Sequence, residues 1–361
     1  MSVSIRVATS PGEAQVAVSD DDRLIDFALW RPGAPDGVGD IHRGRVIAHV
    51  PAMAGAFVAL ADAEGFLPDS EGGKGLISGA ILTVRVIRAA QGAKGPRLSA
   101  RGVEGAAGGA VALLRRGPGP VARFAERYPD ARVFVDDAGT AAALRLGDRV
   151  SVVAQVFDDA VAEAIEALLR PVVDLPGGAR LSIWPTPALV AIDVDGGGAL
   201  AGSRHEAVNR RVIPALAGQI RLRNLSGGIV VDLAGLSPRK RAALAPDFIA
   251  ALANDPLRPK FLGFTALGLA EIVRSRIHPP LHEALAGPLP AGLAALRAVM
   301  GAFSAARGGL PAVRAHPAVV SALQLDPAAL PDVVRRTGRA VRLRSDPSLP
   351  ATSWVLEKDD G

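Results

Sequence analysis

The stretch ALVAIDVDGGG, residues 188–198, is an apolar run that carries two aspartates two positions apart and then ends in glycines. A short apolar run that stops at glycine is typical of a buried β-strand. Because side chains alternate along a strand, Asp193 and Asp195 are predicted to point to the same face at its carboxyl end. The stretch therefore predicts a buried strand with two carboxylates at one edge of a sheet.

A second apolar strand, residues 229–233, ends at another aspartate, Asp232. The residues between the two strands predict a helix capped by Ser203, with apolar side chains at helical spacing: Val208, Val212, Leu216 and Ile220. A helical crossover of this length can return the chain in parallel or skip a strand. If the strands are neighbours, they lie about 4.8 Å apart, and the carboxylates of Asp193 and Asp232 converge.

Converging carboxylates repel each other unless a cation lies between them. Mg²⁺ suits such a site because it binds through one or two carboxylates plus water and leaves positions for phosphate oxygens. The chain has no cysteine and only six histidines, without paired spacing, so oxygen ligands remain. We therefore predict Asp193, Asp195 and Asp232 as metal ligands, with Asp193 and Asp232 catalytic in hydrolysis by a metal-activated water. The alternative is that each aspartate is a turn or cap residue.

The composition is that of a chain with room for several domains. It has 361 residues, of which 49% are hydrophobic. Its longest uncharged stretches fall short of the roughly 18 apolar residues that span a bilayer, and its first residues lack a secretory pattern. We predict a cytoplasmic protein without a membrane segment. The net charge of +5 suits an anionic partner, or serves solubility alone.

Strand and helix patterns predict a multi-domain α/β chain of the α+β type. Residues 1–35 alternate as strands, and residues 36–102 contain five short β-runs that suggest a small barrel of the OB type. The glycine-rich residues 103–120 are predicted to be a linker. A strand and a helix follow up to residue 170.

Strand, helix and strand continue through residues 171–278. Ser237 is predicted to cap a helix that has Pro238 at its first position, and a further helix is predicted from Thr265 to Arg276. Residues 279–361, rich in Pro, Ala and Gly, are predicted to form a small α/β unit.

The barrel region carries candidate nucleic-acid ligands. Phe57 and Phe66 suit base stacking, and Lys94 and Arg97 suit phosphate contacts. Because only 4% of the chain is aromatic and the fold needs its Phe residues for packing, ordinary core packing is the favoured alternative for each Phe.

A basic trio follows Pro238 in the first turn of its predicted helix: Arg239, Lys240 and Arg241. Cations at this end oppose the helix dipole, so a nearby phosphate would stabilise them. The alternative is a solvated face.

Several segments, in order, resemble the ribonuclease E/G family. IHRGRVIAHVPAMAGAFVALADAEGFLP and KGPRLS resemble its OB domain, and LPGGARLSIWPTPALVAIDVDGGG resembles the strand pair that carries its catalytic Asp. RLRNLSGGIVVDL with GFTALGLAEIVRSR resembles its second Asp strand and following helix, and RAVRLRSDPSL its C-terminal segment.

The resemblance implies a Mg²⁺-dependent endoribonuclease that cuts single-stranded RNA and leaves 5′-phosphate and 3′-hydroxyl ends. Asp193 and Asp232 match the family's Mg²⁺-binding aspartates, whereas Phe57, Phe66 and Lys94 match positions that hold RNA. It also implies an OB domain inserted in an RNase H-like subdomain (1–35 and 121–170), followed by a DNase I-like catalytic subdomain (171–278).

The sequence departs from the family pattern in several ways. Pro187 replaces an acid, and Asp195 stands where the family usually has Asn. The region that senses a 5′ monophosphate is much shortened, and the cysteines that share zinc between protomers are missing. We therefore expect a compact form without a zinc-linked dimer, which leaves another homo-oligomer open. Alternative functions are a non-catalytic RNA-binding adaptor or regulator and a DNA-directed hydrolase.

Overall fold

The computed structural model describes residues 3–105, 108–175, 178–197, 205–305 and 311–357. The strands in these ranges are β1 (Val3–Ser10), β2 (Glu13–Asp20), β3 (Arg23–Trp30), β4 (Ile41–Val50), β5 (Gly55–Ala59), β6 (Glu64–Pro68), β7 (Ile81–Arg88), β8 (Arg97–Ser99), β9 (Ala112–Arg115), β10 (Arg132–Val135), β11 (Val150–Val152), β12 (Val172–Asp174), β13 (Arg180–Pro185), β14 (Val190–Asp195), β15 (Gly227–Asp232), β16 (Lys260–Phe264), β17 (Ala270–Arg274), β18 (Ala312–Ala315), β19 (Leu343–Ser345) and β20 (Trp354–Glu357).

The α-helices in the same ranges are α1 (Pro120–Arg127), α2 (Ala138–Ala143), α3 (Asp159–Leu168), α4 (His205–Leu222), α5 (Pro238–Ala242), α6 (Ala245–Leu252), α7 (Leu281–Ala284), α8 (Pro288–Ala305), α9 (Pro317–Leu325) and α10 (Ala329–Thr337). Across the described ranges, no helix is both long and apolar enough to cross a bilayer. The chain divides into two compact units. One contains residues 1–35, 124–275 and 280–361, and the other contains residues 36–123 and 276–279.

The second unit is built on a closed five-stranded barrel. Its strands follow the order β5, β6, β8, β7 and β4, and β4 pairs back with β5 to close it. Alternate side chains fill the interior, among them Val58, Leu67, Val84 and Leu98, which are fully buried. The small barrel expected from the sequence is confirmed, and its closure is consistent with an OB-fold.

Part of the expected linker is a strand. Within residues 103–120, β9 pairs antiparallel with β4, and Leu113 lies opposite His42. The apolar residues Ala112, Leu113 and Leu114 supply a short β-run between the glycine-rich segments. The glycine content of residues 103–120 therefore predicted a longer loop than the structure contains.

The central sheet of the first unit has the strand order β12, β13, β14, β15, β17 and β16. β14 and β15 run parallel, joined by the crossover that contains α4, and their apolar side chains pack against α4 and α6. Ile192, Val231 and Leu216 are almost fully buried there. The strand, helix and strand predicted from the sequence are confirmed; Ser203, the predicted cap, lies outside the described residues.

The predicted helix from Thr265 to Arg276 is wrong, because this segment is the second half of a β-hairpin. β16 and β17 pair antiparallel around a turn in which Gly268 N donates to Thr265 O at 2.8 Å. Gly268 has a φ of +84°, which glycine adopts without strain. The residues of β17 alternate between buried and less buried, a period of two that the helical interpretation missed.

Two smaller sheets complete the first unit. The N-terminal sheet has the order β11, β10, β1, β2 and β3, with β1 parallel to β10. Near the C-terminus, β18 lies between β19 and β20, and α8, α9 and α10 pack with this sheet around a separate buried cluster. Both are mixed α/β arrangements, as the sequence predicts.

Candidate functional site

The two strand-end aspartates lie side by side. In the parallel pair β14 and β15, Asp193 is directly opposite Asp232, which sets their backbones about 4.8 Å apart. Both side chains are exposed, whereas the preceding Ile192 and Val231 are buried in the sheet core. The predicted neighbouring strands are therefore confirmed, and they bring two carboxylates that are remote in sequence to one edge.

Asp195 points to the same exposed face as Asp193, as its place in the strand predicts. Its Oδ1 accepts a hydrogen bond from the backbone N–H of Gly197 at 2.9 Å, so one oxygen already holds the turn that follows. Within the part of the chain that the structure describes, no three His, Asp or Glu side chains form a group able to hold a metal ion. Asp193, Asp195 and Asp232 therefore do not form a three-carboxylate metal site, and the candidate pair is Asp193 with Asp232, which lie opposite each other in the sheet.

Negative charge is concentrated at this edge, and Arg241 Nη1, 3.6 Å from Asp232 Oδ1, offsets only part of it. The pKa of Asp193 is raised above its usual value, first by partial burial and then by repulsion from Asp232 and Asp195. A divalent cation between the carboxylates would remove this repulsion. The residues present therefore fit a hard cation.

The raised pKa of Asp193 predicts a stability change in Asp193→Asn without divalent cations. A carboxyl whose folded pKa is raised stabilises the fold below its ordinary pKa, and that contribution is lost as pH rises through the folded value. At neutral pH the substitution should therefore increase the free energy of unfolding, by less than about 1 kcal/mol because solvent screens this exposed site. Thermal unfolding in EDTA tests this, and the difference should shrink as the pH falls. A variant less stable than wild type at pH 7 would contradict it.

The basic trio does not act as one group. Ser237 and Pro238 occupy the predicted positions at the start of α5, although the Ser237 hydroxyl makes no capping bond. Arg239 and Lys240 are exposed on this short helix. Arg241 instead turns inward, and its Nη1 lies 3.6 Å from Asp232 Oδ1. The sequence offered no signal that separates Arg241 from its neighbours.

His205, a residue that no sequence motif marks, also lies close to the loop after Asp232. A Cβ on Gly235 would come within 2.5 Å of its imidazole ring. The buried Asn209 donates to the carbonyls of both His205 and Ala234, at 2.7 and 2.9 Å, and so fastens the start of α4 to this loop. A local sequence pattern does not reveal this contact, because it joins the two strand-end loops.

On the barrel, the two predicted aromatic residues form a pair on the outer face. The rings of Phe57 and Phe66 meet edge to face with centroids 5.4 Å apart. Both are half-buried and stand outside the buried barrel core. The alternative of ordinary core packing therefore does not describe them.

Two arginines follow the phenylalanines across neighbouring strands, and Phe57, Phe66, Arg97 and Arg88 together are called the outer row. Arg97 lies opposite Phe66, and Arg88 lies opposite Arg97 on the next strand. The pKa of Arg88 is lowered, first by burial and then by the charges of Arg97 and Arg276. Lys94 is exposed in the hairpin between β7 and β8. The structure thus places Phe57, Phe66 and Arg97 together and adds Arg88, which only the strand register identifies.

Comparison with known proteins confirms the family resemblance for part of the chain. Residues 128–277 match the model of the Ribonuclease E/G family. Ribonuclease E of Nostoc sp. (strain PCC 7120) is 37% identical over 133 residues, which are 36% of this chain and 19% of the relative. Ribonuclease G of Escherichia coli (strain K12) is 31% identical over 141 residues, 37% of this chain and 28% of the relative.

The matched region contains both Asp193 and Asp232, whereas the barrel strands β4 to β8 lie outside it. A chloroplastic Ribonuclease E/G-like protein of Arabidopsis thaliana is also similar, with 33% identity over 36% of this chain and 14% of the relative. The stretch aligned with Ribonuclease E of Nostoc spans only about a fifth of that protein's length. The family match therefore includes the carboxylate edge.

Proposed function

We propose that this protein is a Mg²⁺-dependent endoribonuclease that cuts single-stranded RNA in processing or decay. The observation that carries the proposal is the direct pairing of Asp193 with Asp232 inside the region that matches the Ribonuclease E/G family. Hydrolysis by an activated water would leave a 5′-phosphate and a 3′-hydroxyl. A compact, cytoplasmic enzyme without a zinc-linked dimer remains our expectation.

Asp193 and Asp232 would hold the ion, and water and phosphate oxygens would complete its coordination. Asp195, predicted as a third ligand, lies on the same face but does not form a three-carboxylate group with them. When bound, Mg²⁺ supplies polarisation of a phosphate oxygen and lowers the pKa of a water molecule. The sheet hydrogen bonds of β14 and β15 fix the backbone under each carboxylate, so only the side-chain rotamers remain to be ordered when the ion binds.

The outer row of the barrel would bind the RNA. Phe57 and Phe66 would stack on bases, and Lys94 and Arg97 would contact phosphates. Arg239 and Lys240, exposed beyond the Asp232 strand, would contribute further phosphate contacts. In this proposal the barrel serves as the OB-type RNA-binding domain, the sheet of β12 to β17 as the DNase I-like part, and the N-terminal sheet as the RNase H-like part.

A cleavage assay tests the proposal directly. A fluorescent single-stranded oligoribonucleotide, with 5′-phosphate or 5′-hydroxyl, is incubated with Mg²⁺ or with EDTA, beside the matching DNA oligomer. We expect internal cleavage of RNA with Mg²⁺ only, and products that a 5′-phosphate-dependent exonuclease degrades. Cleavage that persists in EDTA would exclude the mechanism, and preferential cleavage of DNA would indicate a DNA-directed hydrolase.

One observation favours a second function, an RNA-binding adaptor or regulator without turnover. Pro187, which stands where the family has an acid, lies exposed in the turn between β13 and β14, where Thr186 N donates to Leu189 O at 2.9 Å. This turn leads into the strand of Asp193. Salt-sensitive RNA binding without cleavage, even at high protein concentration, would select the adaptor.

A further inference from the structure

We propose that Arg241 is a positioning residue that holds Asp232 and its flanking loops in the arrangement required to bind a divalent cation with Asp193. The inference rests on the proposed function. It concerns Arg241 alone and separates it from Arg239 and Lys240, its neighbours in the basic trio.

The contacts of Arg241 surround the end of β15. Its Nε donates to the carbonyl of Leu236 at 3.0 Å, and its Nη1 donates to the carbonyl of Gly268. Nη2 lies 3.5 Å from the carbonyl of Leu233. One guanidinium thus fastens the loop after Asp232 to the turn between β16 and β17.

The position of Arg241 in α5 does not by itself explain this arrangement. Arg241 lies in the last turn of the five-residue helix, where the helix dipole does not oppose a cation, yet its side chain is only 15% exposed. Burying a guanidinium is unfavourable unless its N–H groups are paired. The carbonyls of Leu236 and Gly268 and the carboxylate of Asp232 supply those partners.

The distance between the Arg241 guanidinium and the Asp232 carboxylate suits orienting the carboxylate rather than binding it tightly. At 3.6 Å, Arg241 Nη1 and Asp232 Oδ1 attract as an ion pair but are beyond the usual range of a charged hydrogen bond. The Asp232 carboxylate, still half exposed, therefore keeps oxygens for a cation. The guanidinium of Arg241 therefore restricts the orientation of the Asp232 carboxylate without taking up the oxygens that would bind the cation.

Gly268 belongs to the same set of contacts around Arg241. A Cβ on this residue would lie 2.5 Å from Arg241 Nη1, and its φ of +84° favours glycine. The turn can therefore approach the guanidinium only because residue 268 has no side chain. Gly268→Ala should displace Arg241 while leaving its charge in the protein.

Binding of Mg²⁺, measured by isothermal titration calorimetry, tests the proposal without relying on cleavage. Loss of a residue that orients a metal ligand typically weakens metal affinity or activity by about 10- to 100-fold. We expect Arg241→Gln, Arg241→Lys and Gly268→Ala each to weaken Mg²⁺ binding by about tenfold or more, and kcat for RNA to fall while KM stays nearly constant. Arg211→Gln, an exposed arginine on α4, is the matched control and should leave both unchanged.

The sign of the change separates positioning from simple charge repulsion. If Arg241 only repelled the cation, Arg241→Gln would bind Mg²⁺ more tightly and Arg241→Lys would match wild type; either result, in variants that melt like wild type, overturns the proposal. If Arg241→Gln does not fold, Gly268→Ala decides in the same way. A wild-type protein that binds Mg²⁺ without cleaving RNA would remove the proposed function and leave this inference tested by calorimetry.

Discussion

Replacing Asp193 or Asp232 with Asn is expected to lower kcat for RNA cleavage by at least about a thousandfold, or about 4 kcal/mol in activation free energy. Asp193 and Asp232 lie side by side at the ends of the parallel strands β14 and β15, and each contributes one negative charge for binding the cation. An amide of the same shape keeps the sheet intact but removes that charge. Single-turnover cleavage with saturating Mg²⁺ measures the effect.

Two further aspartates make this prediction specific. Asp195→Asn should lose far less activity, since Asp195 lies apart from the pair, binds the N–H of Gly197, and keeps an oxygen as Asn. Asp130→Asn, at an exposed site before β10, controls for a general change of charge. If Asp193→Asn and Asp232→Asn cleave as fast as Asp130→Asn, the carboxylate pair is not the catalytic centre.

The double substitution Phe57→Ala with Phe66→Ala is expected to weaken binding of single-stranded RNA by at least about 30-fold. Base stacking on an aromatic ring contributes about 1–3 kcal/mol per base, and each 1.4 kcal/mol is a tenfold change in Kd. The rings form one half-buried pair outside the barrel core, so their removal should cost binding more than folding. Fluorescence anisotropy with a labelled oligoribonucleotide measures Kd.

The controls distinguish stacking from charge. Phe57→Tyr with Phe66→Tyr keeps the rings and should bind nearly as wild type. Lys94→Gln and Arg97→Gln should instead each reduce the dependence of log K on log salt by about one. RNA affinity that is unchanged in the alanine double variant would show that RNA binds elsewhere, and the carboxylate pair would then need another source of substrate binding.

Local patterns in the sequence predicted much of the fold. The glycine-separated β-runs from Ile41 to Ser99 form the barrel, and the apolar strands that end at Asp193 and Asp232 lie in the central sheet. These elements are short, strongly patterned and bounded by turn residues, so their neighbours in sequence determine their conformation. The family resemblance is confirmed for residues 128–277, which contain both strands that end in aspartate.

Local patterns gave the wrong secondary structure for two segments. The segment from Thr265 to Arg276 has apolar residues compatible with a helix, but Gly268 turns the chain and β17 pairs with β15 and β16. Ala112–Arg115 likewise became a strand through pairing with β4. In both cases hydrogen bonds to distant strands decided the conformation, which a window of neighbouring residues does not contain.

The sequence by itself determined that two apolar strands end in aspartate and that Asp193 and Asp195 share a face, because side-chain direction follows from strand periodicity. Only the tertiary structure decided that Asp193 meets Asp232, that Phe57 and Phe66 pair outside the barrel core, and that Arg241 turns away from its basic neighbours. Strand register and the burial of a guanidinium depend on hydrogen bonds between segments that are far apart in the chain, and those bonds form only when the sheet assembles.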